Sequence, residues 1–216
     1  HVISNGVDRD FIYRKKEKTP QLQGKFVILM IGRLSNEKRQ DVLIEAINRS
    51  AYREQIQLIL AGQGPNYKAL EKLGRQLVNP PVIRFFSHNE LLDVLAMSDL
   101  YVHAADAEIE AISCIEAFSS GLVPVIADSD KSATPQFALC RESLFEAGNS
   151  RDLAQKIDYW ISHPQRRQEM EHVYSEHGKK YSLDSCVRQM EAMFETAIEE
   201  CRQEQRVFAR EGQANG

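Results

Sequence analysis

Between positions 25 and 127 the chain carries five short runs that are almost unbroken in apolar residues: "KFVILMI" (25–31), "IQLILA" (56–61), "PVIRFF" (81–86), "DLYVHA" (99–104) and "VPVIA" (123–127). A strand with one wet face alternates apolar and polar side chains, so a run lacking that alternation belongs to a strand covered on both faces. Parallel strands between two layers of helices meet this condition. "SLFEA" (143–147) is a weaker sixth candidate. The intervening segments read as helices at about 38–49, 66–76, 90–97 and 113–120, the first with Val42, Leu43, Ala46 and Ile47 on one stripe. Ser87-His88-Asn89-Glu90 has the form of a capping box ahead of "LLDVLAM", and Gly121 is placed to end the fourth helix. This alternation predicts an α/β fold built on a doubly wound parallel sheet of about six strands.

From about 150 onward only helical patterns remain. Leu153, Ile157, Trp160 and Ile161 share a face, "PQRRQEMEHVYSEHGKK" opens with a proline suited to a first helical turn, and Val187, Met190, Phe194, Ala197 and Cys201 form a long last stripe. The simplest account of that stripe is core packing. The chain thus divides into a sheet domain (1–163), additional C-terminal helices (164–210) packed on it or toward a missing part, and a tail (211–216) expected to be disordered.

Composition removes several function classes. A chain of 216 residues that is 43% hydrophobic buries a substantial core, and its net charge of −4 gives no general pull toward nucleic acid, for which no motif appears either. Cys114, Cys140, Cys186 and Cys201 show no CxxC or metal-like spacing and read as free thiols of a reducing compartment, which points to the cytoplasm. No run approaches the roughly 20 apolar residues of a membrane helix. Peripheral contact with an inner membrane face stays open for a full-length protein. Because it starts at His1 within "HVISNGVD", the chain is expected to be a domain cut from a larger protein.

In a doubly wound sheet of order 3-2-1-4-5-6, ligands sit outside the carboxyl ends of the strands, where the order reverses between the first and fourth. The loop after the first strand, "GRLSNEK", carries Arg33 and Lys38; the loop after the fourth, "ADAEIEAIS", carries Glu108. Arg33 as a planar fork and Lys38 as a point charge suit a phosphate or diphosphate, and free amides at a helix start, around Ile112 and Ser113, add uncharged donors. Glu116 follows Glu108 by eight residues, about 12 Å along an ideal helix, which suits opposite ends of an extended ligand such as a sugar nucleotide. Each of these residues also has a plain reading. Taken singly, the acids are a loop acid and a helix-surface acid, and the cations are surface charges. Gly62 and Gly64 in "AGQGP" favour a tight turn over a phosphate loop, since no GxGxxG is present. His103 either contacts ligand or is a satisfied, partly buried histidine; His88 is structural within its cap; Cys114 is a small buried hydrophobe.

"GRLSNEK" followed by "LIEAI", then "LILAGQGP", then Glu-x7-Glu running into "EAFSSGLVPVIA", resembles the Rossmann-like, donor-binding C-terminal domain of retaining GT-B glycosyltransferases of the glycosyltransferase 4 family (glycosyltransferase group 1). The likeness runs in consistent order from about residue 1 to 163, and "VISNGVD" looks like the segment entering that domain. The resemblance implies transfer of a hexose from a UDP- or GDP-linked sugar to the hydroxyl of a glycan, lipid or small molecule. It places Arg33 and Lys38 on the donor diphosphate, Glu108 on the sugar hydroxyls, Glu116 on the ribose, and Phe86 and Ser87 near the base. It calls for no metal and no cofactor, the nucleotide sugar being substrate. It also implies an N-terminal acceptor domain of the same protein, without which the chain binds donor but does not complete transfer. The sequence departs from the family where Ile109, Glu110 and Ala111 replace a Gly-aromatic-Gly turn, where Arg39 replaces a glycine, and where "SDKSATPQF" replaces a glycine pair. Glu110 must then point away from the diphosphate. Three competing readings weigh less. A two-carboxylate glycoside hydrolase has no use for Arg33 and Lys38. A dehydrogenase lacks its glycine-rich fingerprint. A non-catalytic α/β nucleotide-binding or interaction module would leave the acids incidental.

Overall fold

The computed structural model describes residues 3–214; His1 and Val2, which open "HVISNGVD", and residues 215 and 216 of the tail lie outside the described residues. Six strands, β1 (Phe26–Ile31), β2 (Ile56–Ala61), β3 (Val82–Arg84), β4 (Leu100–His103), β5 (Pro124–Asp128) and β6 (Leu144–Glu146), form one parallel sheet of order β3-β2-β1-β4-β5-β6. Register runs from Phe26↔Ile56 to Ile31↔Ala61 between β1 and β2, and through Ile28↔Leu100 between β1 and β4. The reversal of strand order therefore falls between β1 and β4, and the sheet is the Rossmann-like doubly wound one that the alternation of apolar runs predicts.

The unbroken apolar runs are explained by cover on both faces. Val27, Ile28 and Leu29 in β1, Leu100 to Val102 in β4, and Val125 to Ala127 in β5 are all fully buried. β3 is the exception, at three residues against a predicted six, because it lies at the edge and pairs only with β2. Phe85 and Phe86 consequently leave the strand. Helices α1 (Gln40–Arg49), α2 (Tyr67–Gly74), α3 (His88–Met97), α4 (Ile112–Ser119) and α5 (Ser150–Ser162) link or cover the strands, α1 packing on α5 and α2. Val42, Leu43, Ala46 and Ile47 of α1 are all buried; at a fully buried site such as Leu43, truncation to alanine costs about 2–5 kcal/mol. α5 starts where the Asn149 side chain accepts the amides of Arg151 and Asp152 at 3.0 and 3.1 Å.

Gly121 ends α4 at a φ of 88°, its amide donating to the Phe118 carbonyl at 2.9 Å. A Cβ there would stand 1.8 Å from a Tyr13 ring carbon, so the site needs glycine for conformation and for space. Tyr13 belongs to the N-terminal segment, which also pairs with the end of the chain: the Val7 amide donates to the Tyr181 carbonyl at 2.8 Å, and the Leu183 amide to the Val7 carbonyl at 2.9 Å.

α6 (Pro164–Gly178) packs on α4 and buries Met170, Glu171 and Tyr174. α7 (Leu183–Ala214) corrects an expectation. Its stripe is not core: Val187, Met190 and Phe194 are 43, 43 and 55% exposed and Cys201 is exposed, while Cys186 in the first turn is buried. Beyond that turn the stripe meets no covering element among the described residues. The helix also continues through 211–214, in the segment expected to be disordered. All four cysteines are free, and no described helix is long and apolar enough to cross a membrane.

Candidate functional site

The loop leaving β1 is held by main chain. The Leu34 amide donates to the Gln63 carbonyl at 3.1 Å, and the Asn66 amide to the Leu34 carbonyl at 3.0 Å. This approach is open only because position 62 is glycine: a Cβ on Gly62 would lie 1.9 Å from the Gly32 carbonyl oxygen, and one on Gly64 2.4 Å from that of Leu34. The two glycines thus serve backbone contact, in keeping with the tight-turn reading. A 3-10 turn at Asn36–Lys38 follows, and Arg39 enters α1 in the left-handed region at φ 52°.

Three links join this loop to the one leaving β4. The Asp106 amide donates to the Glu37 carbonyl at 3.0 Å, the Arg39 guanidinium donates to Asp106 at 2.6 Å, and Lys38 forms an ion pair with Glu108. Glu108 is fixed from the far side too, its carbonyl accepting the Ala133 amide at 2.9 Å. Glu110 does point away: its carboxylate takes the Asn5 amide at 2.7 Å, the Asn5 side chain at 2.5 Å and the Ser4 hydroxyl. Ala111, at φ 54°, then turns the chain into α4. Both non-glycine residues at positive φ, Arg39 and Ala111, occupy positions where the sequence departs from a glycine. The amides of Ile112 and Ser113, at the first turn of α4, have no hydrogen-bond partner among the described residues and are free to bind an anion.

Behind the Lys38–Glu108 pair lies a buried polar group. The Tyr101 hydroxyl is 3.2 Å from Ser113 Oγ and 3.3 Å from His103 Nδ1; His103 Nε2 is 3.7 Å from Glu108 Oε2 and has no hydrogen-bond partner. His103 is fully buried rather than partly buried and satisfied. Burial, and then the nearby Lys38 ammonium, lower its pKa to about 3, so the ring is neutral. Cys114 is fully buried and its thiol is pushed well up by burial, as a small hydrophobe would be. Glu116, one turn into α4, is half-buried, without a hydrogen-bond or ion-pair partner among the described residues. Burial raises its pKa, partly opposed by the nearby His88.

On the β2–β3 side a cavity of about 330 Å³ is lined by Gly32, Arg33, Gln63, Phe85, Phe86 and Leu91, among others. Arg33 is exposed and unpaired among the described residues. Phe86 is 8% exposed, with the Arg84 guanidinium 3.7 Å over its ring. Ser87 opens α3 in the capping box read from sequence; hydrogen bonds from its amide and hydroxyl, with one from Arg84, lower the Glu90 pKa to about 2. His88 sits in that cap beside Asp10, at 3.3 Å, and Phe11. The structure thus brings Lys38 and Glu108 into contact, groups Arg33 with Phe86 in the cavity, and sets Ile112 and Ser113 at the head of α4. Ile112 presents a side chain that is 42% exposed, and Glu116 stands toward His88. Phe85, Gln63, Arg84 and Tyr101 were not singled out from sequence. The paired aromatics of "RFF" at a strand end were the one available signal.

A model of the family "Glycosyl transferases group 1" matches residues 12–181. The catalytic domain of cholesterol-alpha-glucosyltransferase from Helicobacter pylori is 45% identical, with a TM-score of 0.67 over 72% of this chain and 99% of that one. The Anabaena protein HepE, solved with UDP, matches at a TM-score of 0.76 over 91% of this chain and 57% of its own, at 20% identity, a likeness of fold. The GPI3 subunit of phosphatidylinositol N-acetylglucosaminyltransferase from Saccharomyces cerevisiae is 31% identical over 132 residues, 57% of this chain and 29% of the subunit. The chain therefore spans under a third of that curated relative. Sheet order, loop placement and the extent of the family match agree, and the chain belongs to the glycosyl transferases group 1 family.

Proposed function

We propose that the chain is the donor-binding part of a retaining glycosyltransferase that moves a hexose from a nucleoside diphosphate to an acceptor hydroxyl. The observation that carries this reading is the set of groups at the reversal between β1 and β4: the cations Arg33 and Lys38, the free amides of Ile112 and Ser113, and the carboxylate of Glu108 in contact with Lys38. As the glycosidic bond breaks, negative charge grows on the departing diphosphate, and Arg33, Lys38 and the two amides are the groups available to stabilise it. Glu108 would accept hydroxyls of the hexose and fix its orientation, Glu116 would accept those of the ribose, and the cavity beside Phe86 and Ser87 would receive the base. HepE has been solved with UDP-glucose and the Helicobacter pylori relative is a glucosyltransferase, which supports a sugar nucleotide as donor. Transfer itself would need an acceptor domain beyond this chain and closure onto it.

Calorimetric titration with UDP, GDP, UDP-glucose and GDP-mannose, repeated on Glu116→Ala, tests the reading. Binding of one nucleotide and its sugar, weakened about tenfold or more by loss of the ribose contacts, is expected. Flat traces with all four would refute it. In a full-length enzyme, Lys38→Met should lower kcat more than it raises KM; an equal loss in both would remove Lys38 from the leaving-group role.

A further inference from the structure

We propose that His103 is a positioning residue for Glu108, taking over its carboxylate when Lys38 leaves it for a nucleoside diphosphate. The inference rests on the donor-binding reading and adds a residue to it. Lys38 Nζ and His103 Nε2 both address the same atom, Glu108 Oε2, the first as an ion pair and the second from 3.7 Å. His103 Nε2 is buried and unpartnered, a costly state for a polar atom in a packed interior. A polar atom aimed at a carboxylate already occupied by another cation gains its partner when that cation moves. The ring is neutral and so carries one N–H and one lone pair. The Tyr101 hydroxyl donates to Ser113 Oγ at 3.2 Å and lies 3.3 Å from Nδ1, so it does not set the tautomer; the carboxylate facing Nε2 does, because it favours the form that carries its hydrogen there. Closing 3.7 Å to a hydrogen bond of about 2.9 Å takes a shift of under about 1 Å.

The motion has a stated consequence. In the empty site the Lys38 charge holds Glu108. In the loaded site the cation faces phosphate, and a carboxylate left alone would swing or hydrate. A donor fixed on the β4 backbone keeps Oε2 in place and leaves Oε1 for sugar hydroxyls. His103 therefore adds to the affinity for the bare nucleotide through the bond that forms, and adds more for the sugar nucleotide, whose hydroxyls need the carboxylate held.

Calorimetry on the whole chain separates these parts. The wild type, His103→Leu and His103→Gln would be titrated with UDP, GDP, UDP-glucose and GDP-mannose. His103→Leu should lose about threefold in affinity for the nucleoside diphosphate and about tenfold or more for the matching sugar nucleotide. His103→Gln should restore most of that loss, because its amide nitrogen reaches about where Nε2 lies. Equal losses on nucleotide and sugar nucleotide, no loss on either, or failure of Gln to rescue would overturn the proposal while leaving the donor-binding reading intact. A wild type that binds none of the four would overturn both. If His103→Leu does not fold, His103→Asn replaces it, since its amide stops short at the Nδ1 position; Asn and Gln behaving alike would refute the role.

Discussion

Replacing Glu108 by glutamine keeps the shape of the loop and removes the charge that occupies Lys38. The pair is neither surface nor interior: its side chains are 17 and 20% exposed. Exposed ion pairs contribute about 0–1 kcal/mol, whereas breaking a buried one costs about 3–5 kcal/mol, so a coupling of about 2 kcal/mol fits this depth. An incoming diphosphate must draw Lys38 away against that attraction. Glu108→Gln should therefore bind bare UDP or GDP more tightly than the wild type, by up to about thirtyfold at about 1.4 kcal/mol per tenfold. The sugar nucleotide should gain less or lose affinity, because the same carboxylate is the acceptor for its hydroxyls. Isothermal titration calorimetry at one fixed ionic strength measures both, since screening alters cation–phosphate attraction. If Glu108→Gln bound the bare nucleotide no better than the wild type, competition between Glu108 and phosphate for Lys38 would be refuted.

Gly121→Ala should destabilise the fold by about 3 kcal/mol, combining left-handed strain of about 1–2 kcal/mol with displacement of Tyr13, and urea unfolding with a loss under about 1 kcal/mol would refute that packing. Glu116→Gln should stabilise the chain at neutral pH. Burial raises the folded-state pKa of Glu116 above the ordinary carboxylate range, so its ionisation opposes folding as pH rises from there; the gain should vanish in acid, and a pH-independent gain would refute the cause. Arg33→Ala, at an exposed and unpaired position, should leave the melting temperature unchanged and weaken nucleoside diphosphate binding about tenfold; an equal effect on a nucleoside without phosphate would refute the anion role.

The sheet was legible because burial on both faces writes itself into the runs at β1, β2, β4 and β5. Alternation of elements gave the doubly wound class, and taking its order as 3-2-1-4-5-6 located the loops that carry Arg33, Lys38 and Glu108. Pairing at long range was not legible. Nothing near Glu110 announces Ser4 and Asn5, more than a hundred positions away, and nothing near Lys38 announces that its nearest anion is Glu108. Positive φ was hidden at Arg39 and Ala111 because the residues there are not the glycines that normally mark it. The stripe on α7 misled for a different reason: periodicity shows that a helix has an apolar face but not what, if anything, lies against it. His103 looked ordinary because burial of a strand-end histidine depends on which loops fold over it.

The missing side chain at position 62 has a consequence for how such a site can change over generations. Because the chain after β2 rests directly on the Gly32 carbonyl, the path carrying Arg33 is set by main-chain atoms and not by its neighbours' identities. Substitutions at Gln63, Phe85 or Leu91 can reshape the adjacent hollow while the cation's anchorage stays as it was. Preference among ligands and grip on their charge are thereby separable traits, open to selection or redesign one at a time.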